Sequence, residues 1–201
     1  MRIREAYEQA ATLFVETVGR VAANHWKQQA LGEWTVQDLV GHTNRALLTV
    51  ETYLDNPAAT RELERPVEYF LRALAALADP AAVAARGREA GKALGADPLA
   101  AVHETATRVL DRLRRTADET LLTTPVGGMR LIDYLPSRVF ELTIHSLDLA
   151  SALSLQVTVP EPAAKVTFSL LIELALHKGQ ATPLILSTAG RGPLPIGFSV
   201  L

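Results

Sequence analysis

Leu135-Pro136-Ser137-Arg138-Val139-Phe140-Glu141-Leu142-Thr143-Ile144-His145-Ser146-Leu147-Asp148-Leu149 is the stretch on which the reading of this chain turns. Leu135, Val139, Leu142 and Leu149 share one row of a helix, and Phe140, Ile144 and Leu147 share a second. The pattern predicts a helix opened by Pro136 and running to about Leu153. One polar row remains on it. Arg138, Glu141, His145 and Asp148 are spaced three, four and three apart, which lines all four side chains along a single edge.

Outward from this segment, three more long helices are legible. Between Ile3 and Trp26 the apolar residues Tyr7, Ala10, Ala11, Leu13, Phe14, Val18, Val21 and Ala22 recur three or four apart, as on one face of an amphipathic helix. After a connector from Lys27 to Glu33, Thr35 is placed to cap a second helix that runs to about Leu54, with Asp38 at its positive end. Asn56-Pro57 breaks it, and Pro66 and Pro80 each sit near the first turn of a shorter helix in an alanine-rich stretch. Asp97-Pro98 repeats the start signal for a long helix to about Asp118, and Pro125-Val126-Gly127-Gly128 marks a turn.

Four long helices joined by loops predict a mainly α protein built on a four-helix bundle over residues 1–155. Residues 156–201 read as a small α/β region. There Gln156 to Val159, Pro183 to Thr188 and Ile196 to Leu201 are expected as strands, and Pro162 to His177 as a helix.

Composition narrows the function. Among 201 residues, 20 Lys and Arg stand against 22 Asp and Glu, a net charge of −2 with no long block of one sign, which argues against a nucleic-acid binder. Cysteine is absent, so disulfides, thiolate metal sites and a cysteine nucleophile are excluded, and any thiol chemistry must use an imported thiol. Met1-Arg2-Ile3-Arg4-Glu5 carries no apolar signal core and no segment is apolar enough to span a membrane, so the expected compartment is the cytoplasm. Neither a phosphate-binding Gly-rich loop nor a Gly-x-Ser-x-Gly elbow occurs.

The polar edge carries what chemistry there is. Glu141 and His145, one turn apart, could both reach one metal ion, and a catalytic zinc site usually adds a third protein ligand and an open position. The second helix offers His42, on a row with Asp38 and Arg45 beside its apolar side. Asp38 and Asp148 lie one turn from His42 and His145, where either could accept an imidazole N–H. An ordinary solvated row of ion pairs explains Arg138, Glu141, His145 and Asp148 equally well, at about 0.3–0.5 kcal/mol per pair. The remaining histidines read otherwise: His25 ends the first helix, His177 caps a helix before Gly179, and His103 is expected in the core at the flank of an apolar stripe.

Gly32-Glu33-Trp34-Thr35-Val36-Gln37-Asp38-Leu39-Val40-Gly41-His42, followed far downstream by Arg138 to Leu149, resembles the mycothiol-dependent maleylpyruvate isomerase family over about residues 1–155. The resemblance implies a DinB-like four-helix bundle. It implies a divalent metal, typically zinc, held by His42, Glu141 and His145 with water completing the shell, and mycothiol as the imported thiol. In the family's namesake reaction the thiol adds to an electrophilic carbon of maleylpyruvate, a bond rotates, and elimination returns the thiol. A dicarboxylate substrate implies cationic partners, for which Arg45, Arg130 and above all Arg138 stand near the motifs. Arg138 could equally pair with Glu141 and orient it. Full-length members often add a larger sterol-carrier-type α/β domain that helps close the site, whereas residues 156–201 alone follow the bundle here.

The expected function is therefore a metal- and thiol-dependent isomerase or transferase acting on small molecules. The alternatives are a metal-dependent hydrolase that activates water, or a non-catalytic metal- or ligand-binding stress protein on the same scaffold. The first helix or the C-terminal region could supply a homodimer face.

Overall fold

The computed structural model describes residues 2–77 and 79–201. Met1 and Ala78, which belong to the leader reading and the alanine-rich stretch above, lie outside the described residues. In chain order the elements are α1 (Ile3–Val18), β1 (Gln29–Leu31), β2 (Trp34–Thr35), α2 (Val36–Leu54), α3 (Pro66–Leu77), α4 (Pro80–Ala93), α5 (Pro98–Arg114), β3 (Leu121–Thr124), β4 (Gly127–Arg130), α6 (Leu131–Ala152), α7 (Glu161–His177) and α8 (Ala181–Thr188). The protein is mainly helical, as its periodicity requires.

Four helices form the bundle: α1 packs on α5 and α6, and α2 packs on the same two from the other side. Their apolar stripes meet in one core that contains Phe14, Leu39, Leu47, Val109, Leu135 and Leu142. Helix starts follow local chemistry. The Thr35 hydroxyl accepts the amide of Asp38 while Asp38 accepts the amide of Thr35, closing a capping box on α2. Asp79 and Asp97 cap α4 and α5 with Pro80 and Pro98 in the first position, so the long helix after Asp97 and both short helices, started by Pro66 and Pro80, form where expected.

Three boundaries differ from the sequence reading. The first helix stops at Val18 instead of continuing toward Trp26. The carbonyls of Trp26 and Gln28 accept the amides of Gln37 and Val36, so the chain there serves the free N–H groups at the start of α2. The Pro125-Val126 turn closes a hairpin in which Leu121 to Thr124 pair with Arg130 to Gly127, and Leu122 and Met129 enter the core. Because β4 leads straight into α6, the helix begins at Leu131, and Pro136 lies inside it instead of opening it.

Beyond the bundle, none of the three expected strands forms. Residues 183–188 lie in α8, and residues 156–159 and 196–201 are irregular. An apolar run such as Leu184-Ile185-Leu186 fits either period, and among the described residues the two sheets are two-stranded pairs that do not include it. The helix α7 is found as expected and packs on α1 and α6, placing Ala163 and Val166 in the main core. Its Leu170 and Leu174 form a second cluster with Phe70, Phe140 and Val200. Among the described residues, no helix is long and apolar enough to cross a membrane.

Candidate metal centre

The helices α2 and α6 lie side by side in the bundle, and that contact brings His42 to Glu141 and His145. One potential ligand atom from each of the three lies within 4.8 Å of the others. Nε2 of His145 is 3.3 Å from a Glu141 carboxylate oxygen, and its Nδ1 is 2.9 Å from Asp148. The His42 and His145 rings stand nearly perpendicular, 5.0 Å between centroids. None of Arg138, Glu141, His145 and Asp148 is exposed, so the edge is not a solvated face. Asp148 thus takes the orienting role expected of it. Asp38 does not, because both its bonds go to Thr35 in the capping box.

Charge within the cluster is uneven. Burial and the neighbouring His145 hold His42 down to about 4, so its ring is neutral at physiological pH. Burial works against the charged form of His145 too, but hydrogen bonds to Asp148 and Glu141 outweigh it and raise the ring to about 9. For Glu141, the burial that would raise its carboxyl is overcome by the bond to His145 and by the charges of His145 and Arg138, which hold it at about 2. Without an ion, an imidazolium therefore lies against a carboxylate. The buried Nδ1 of His42 has no hydrogen-bond partner among the described residues. Two imidazoles and one carboxylate converging from two helices suit a divalent transition metal, whose charge would replace the proton on His145.

A cavity of about 260 Å³ opens beside the cluster, and both His42 and Glu141 line it. Arg45, Arg86 and Arg138 are its cationic lining, and Phe70, Leu74 and Val83 part of its apolar lining. Arg138 is buried, with its guanidinium carbon 5.0 Å from the centre of the Tyr134 ring and 5.5 Å from that of Tyr69, and its Nε donates to the Ser137 hydroxyl. No ion pair joins it to Glu141 among the described residues, so aromatic faces rather than the Glu141 carboxylate hold it. Arg130 is excluded from the cavity: it is tied to Asp133 and Glu119 at the start of α6. The other histidines stand apart from the centre. His25 lies in the turn after α1, and His177 ends α7 before Gly179 at φ +67°. His103, expected in the core, is exposed on α5, because the stripe of that helix turns inward through Val102, Ala106 and Val109.

Sequence reasoning missed the aromatic residues around the centre. Trp34 lies with its ring 4.4 Å from that of His42, tilted 34°. Tyr69 and Tyr134 flank Arg138, and Tyr134 donates to the Thr49 hydroxyl over 2.9 Å. Only the spacing of Trp34 and His42, eight residues apart across a helix start, offered a signal.

The family model described as mycothiol maleylpyruvate isomerase N-terminal domain matches residues 7–150, from within α1 nearly to the end of α6, and includes all three candidate ligands. No curated protein and no solved structure matches the chain.

Proposed function

The chain belongs to the mycothiol maleylpyruvate isomerase N-terminal domain family, and from that premise we propose that it is a divalent-metal- and thiol-dependent isomerase or transferase of small molecules. The observation that carries this reading is the convergence of His42, Glu141 and His145 from two helices, beside a part-cationic cavity that His42 and Glu141 line. Three protein donors leave room for an exchangeable ligand, as catalytic sites require. Zinc is the proposed ion and mycothiol the proposed thiol, in a cytoplasmic setting.

A bound ion would supply Lewis acidity that lowers the pKa of a thiol brought to it, so that thiolate is available near neutral pH. The rest falls to the chain's own side chains. Asp148 fixes the ring orientation and tautomer of His145 through Nδ1. Arg138 is permanently charged and held by two aromatic faces, so it presents a fixed cation to an anionic group of the substrate. Arg45 adds a second positive charge on the same wall. Phe70, Leu74 and Val83 add apolar lining to the same cavity, and a low-polarity surface beside the cations would strengthen their contacts with an anionic group.

Elemental mass spectrometry of untagged protein tests the reading, with the His42→Ala variant beside it. About one equivalent of a transition metal in the wild type, lost in the variant, is the expected result. Turnover of an electrophilic dicarboxylate only when mycothiol is added would then support the thiol half. Wild-type protein that neither contains nor takes up metal would overturn the proposal.

A further inference from the structure

The two candidate histidine ligands are held by different devices. A ligating imidazole usually donates its second nitrogen to an acceptor that fixes the ring. His145 has Asp148 for this, 2.9 Å away, whereas the buried Nδ1 of His42 has no hydrogen-bond partner among the described residues. What His42 has is the indole of Trp34 at 4.4 Å.

Trp34 is itself fixed by α4. Its Nε1 donates to the Ala84 carbonyl over 3.1 Å, and its ring fills the space above Gly87, where an added Cβ would lie 2.4 Å from the indole. The helix α4 is in turn seated on α2 by backbone contact. A Cβ on Gly41 would meet the Gly91 nitrogen at 2.2 Å, and the Gln37 side-chain Nε2 donates to the Gly91 carbonyl over 3.0 Å. Gly41, Gly87 and Gly91 all lie in helix interiors, where glycine costs about 1 kcal/mol against alanine, so the close approach is bought at a real expense in helix stability.

We propose that Trp34 is the positioning residue for His42 and that α4 holds it there, so that the seating of α4 on α2 sets how tightly the centre binds its ion. This rests on the metal reading above and adds to it a helix that supplies no ligand.

The test is zinc affinity of the full chain, measured by competition with a chromogenic chelator, for wild type, His42→Ala, Trp34→Ala, Trp34→Phe and Gly87→Ala. Trp34→Ala and Gly87→Ala are expected to bind zinc about 10- to 100-fold more weakly, the loss typical when an orienting group is removed from a metal ligand. Trp34→Phe, which keeps an aromatic face, should recover most of the affinity. Gly87→Ala raises helix propensity while displacing the ring, so it separates positioning from folding should Trp34→Ala fail to fold. The visible spectrum of the Co²⁺-loaded Gly87→Ala protein should change shape, and that of Trp34→Phe should not. Zinc affinity and a Co²⁺ spectrum unchanged in Gly87→Ala at wild-type helicity would overturn the inference while leaving the metal site standing. Wild type that takes up no zinc would overturn both.

Discussion

His42 and His145 lie 5.0 Å apart, ring to ring, yet one is held near pKa 4 and the other near 9. Burial dominates at His42, which has no carboxylate bonded to it, while Glu141 and Asp148 both bond to His145. Metal uptake near pH 7.5 should therefore release about one proton, from His145, and apparent affinity should rise about tenfold per pH unit until it levels off near pH 9. Calorimetry in two buffers of different ionisation enthalpy measures that proton directly. His42 releases none in this range, because it is already neutral. Metal content should collapse in His42→Ala, Glu141→Ala and His145→Ala and persist in His25→Ala and His177→Ala, since those two side chains lie away from the cluster. Equal metal content in all five would refute the ligand set.

Among the elements, α2 shows how a local signal places a functional group. The capping box of Thr35 and Asp38 fixes where the helix begins, and His42 follows two turns on, facing α6. Thr35→Ala should cost about 0.5–2 kcal/mol, and Thr35→Ser much less, as read from urea unfolding. The hairpin of β3 and β4 works differently, because its register depends on a distant segment. The amides of Glu62 and Leu63 donate to the Gly128 carbonyl, and a Cβ at Gly128 would lie 2.2 Å from the Thr60 carbonyl oxygen. Gly128→Ala should therefore lower the thermal midpoint clearly, whereas an alanine at exposed Gly192, with nothing within 4 Å, should not.

At the scale of the whole molecule, α7 joins the bundle core to a second cluster in which Leu174 is fully buried. Leu174→Ala should cost about 2–5 kcal/mol, and it should do so in one transition that far-ultraviolet dichroism and tryptophan fluorescence report alike. A separate low-temperature transition, leaving the rest intact, would show that α7 melts independently.

Helix identity, the starts of α2, α3, α4 and α5 and the row of Arg138, Glu141, His145 and Asp148 were determined by the sequence itself, whereas the start of α6 at Leu131 was set by the hairpin that leads into it. Period, capping and proline geometry act within a few residues, so they are written locally. The meeting of His42 with Glu141 and His145 was half legible: its row was plain and the family resemblance paired it with them, while the packing of α2 on α6 is what brings the three side chains together. The tertiary structure alone decided the end of α1, the hairpin, the helical fate of residues 183–188, the separation of Arg138 from Arg130, and the seat of Trp34 on His42. The hairpin register depends on Glu62 and Leu63, and the seat of Trp34 on a carbonyl of α4 fifty residues on, so no short window along the chain contains both partners.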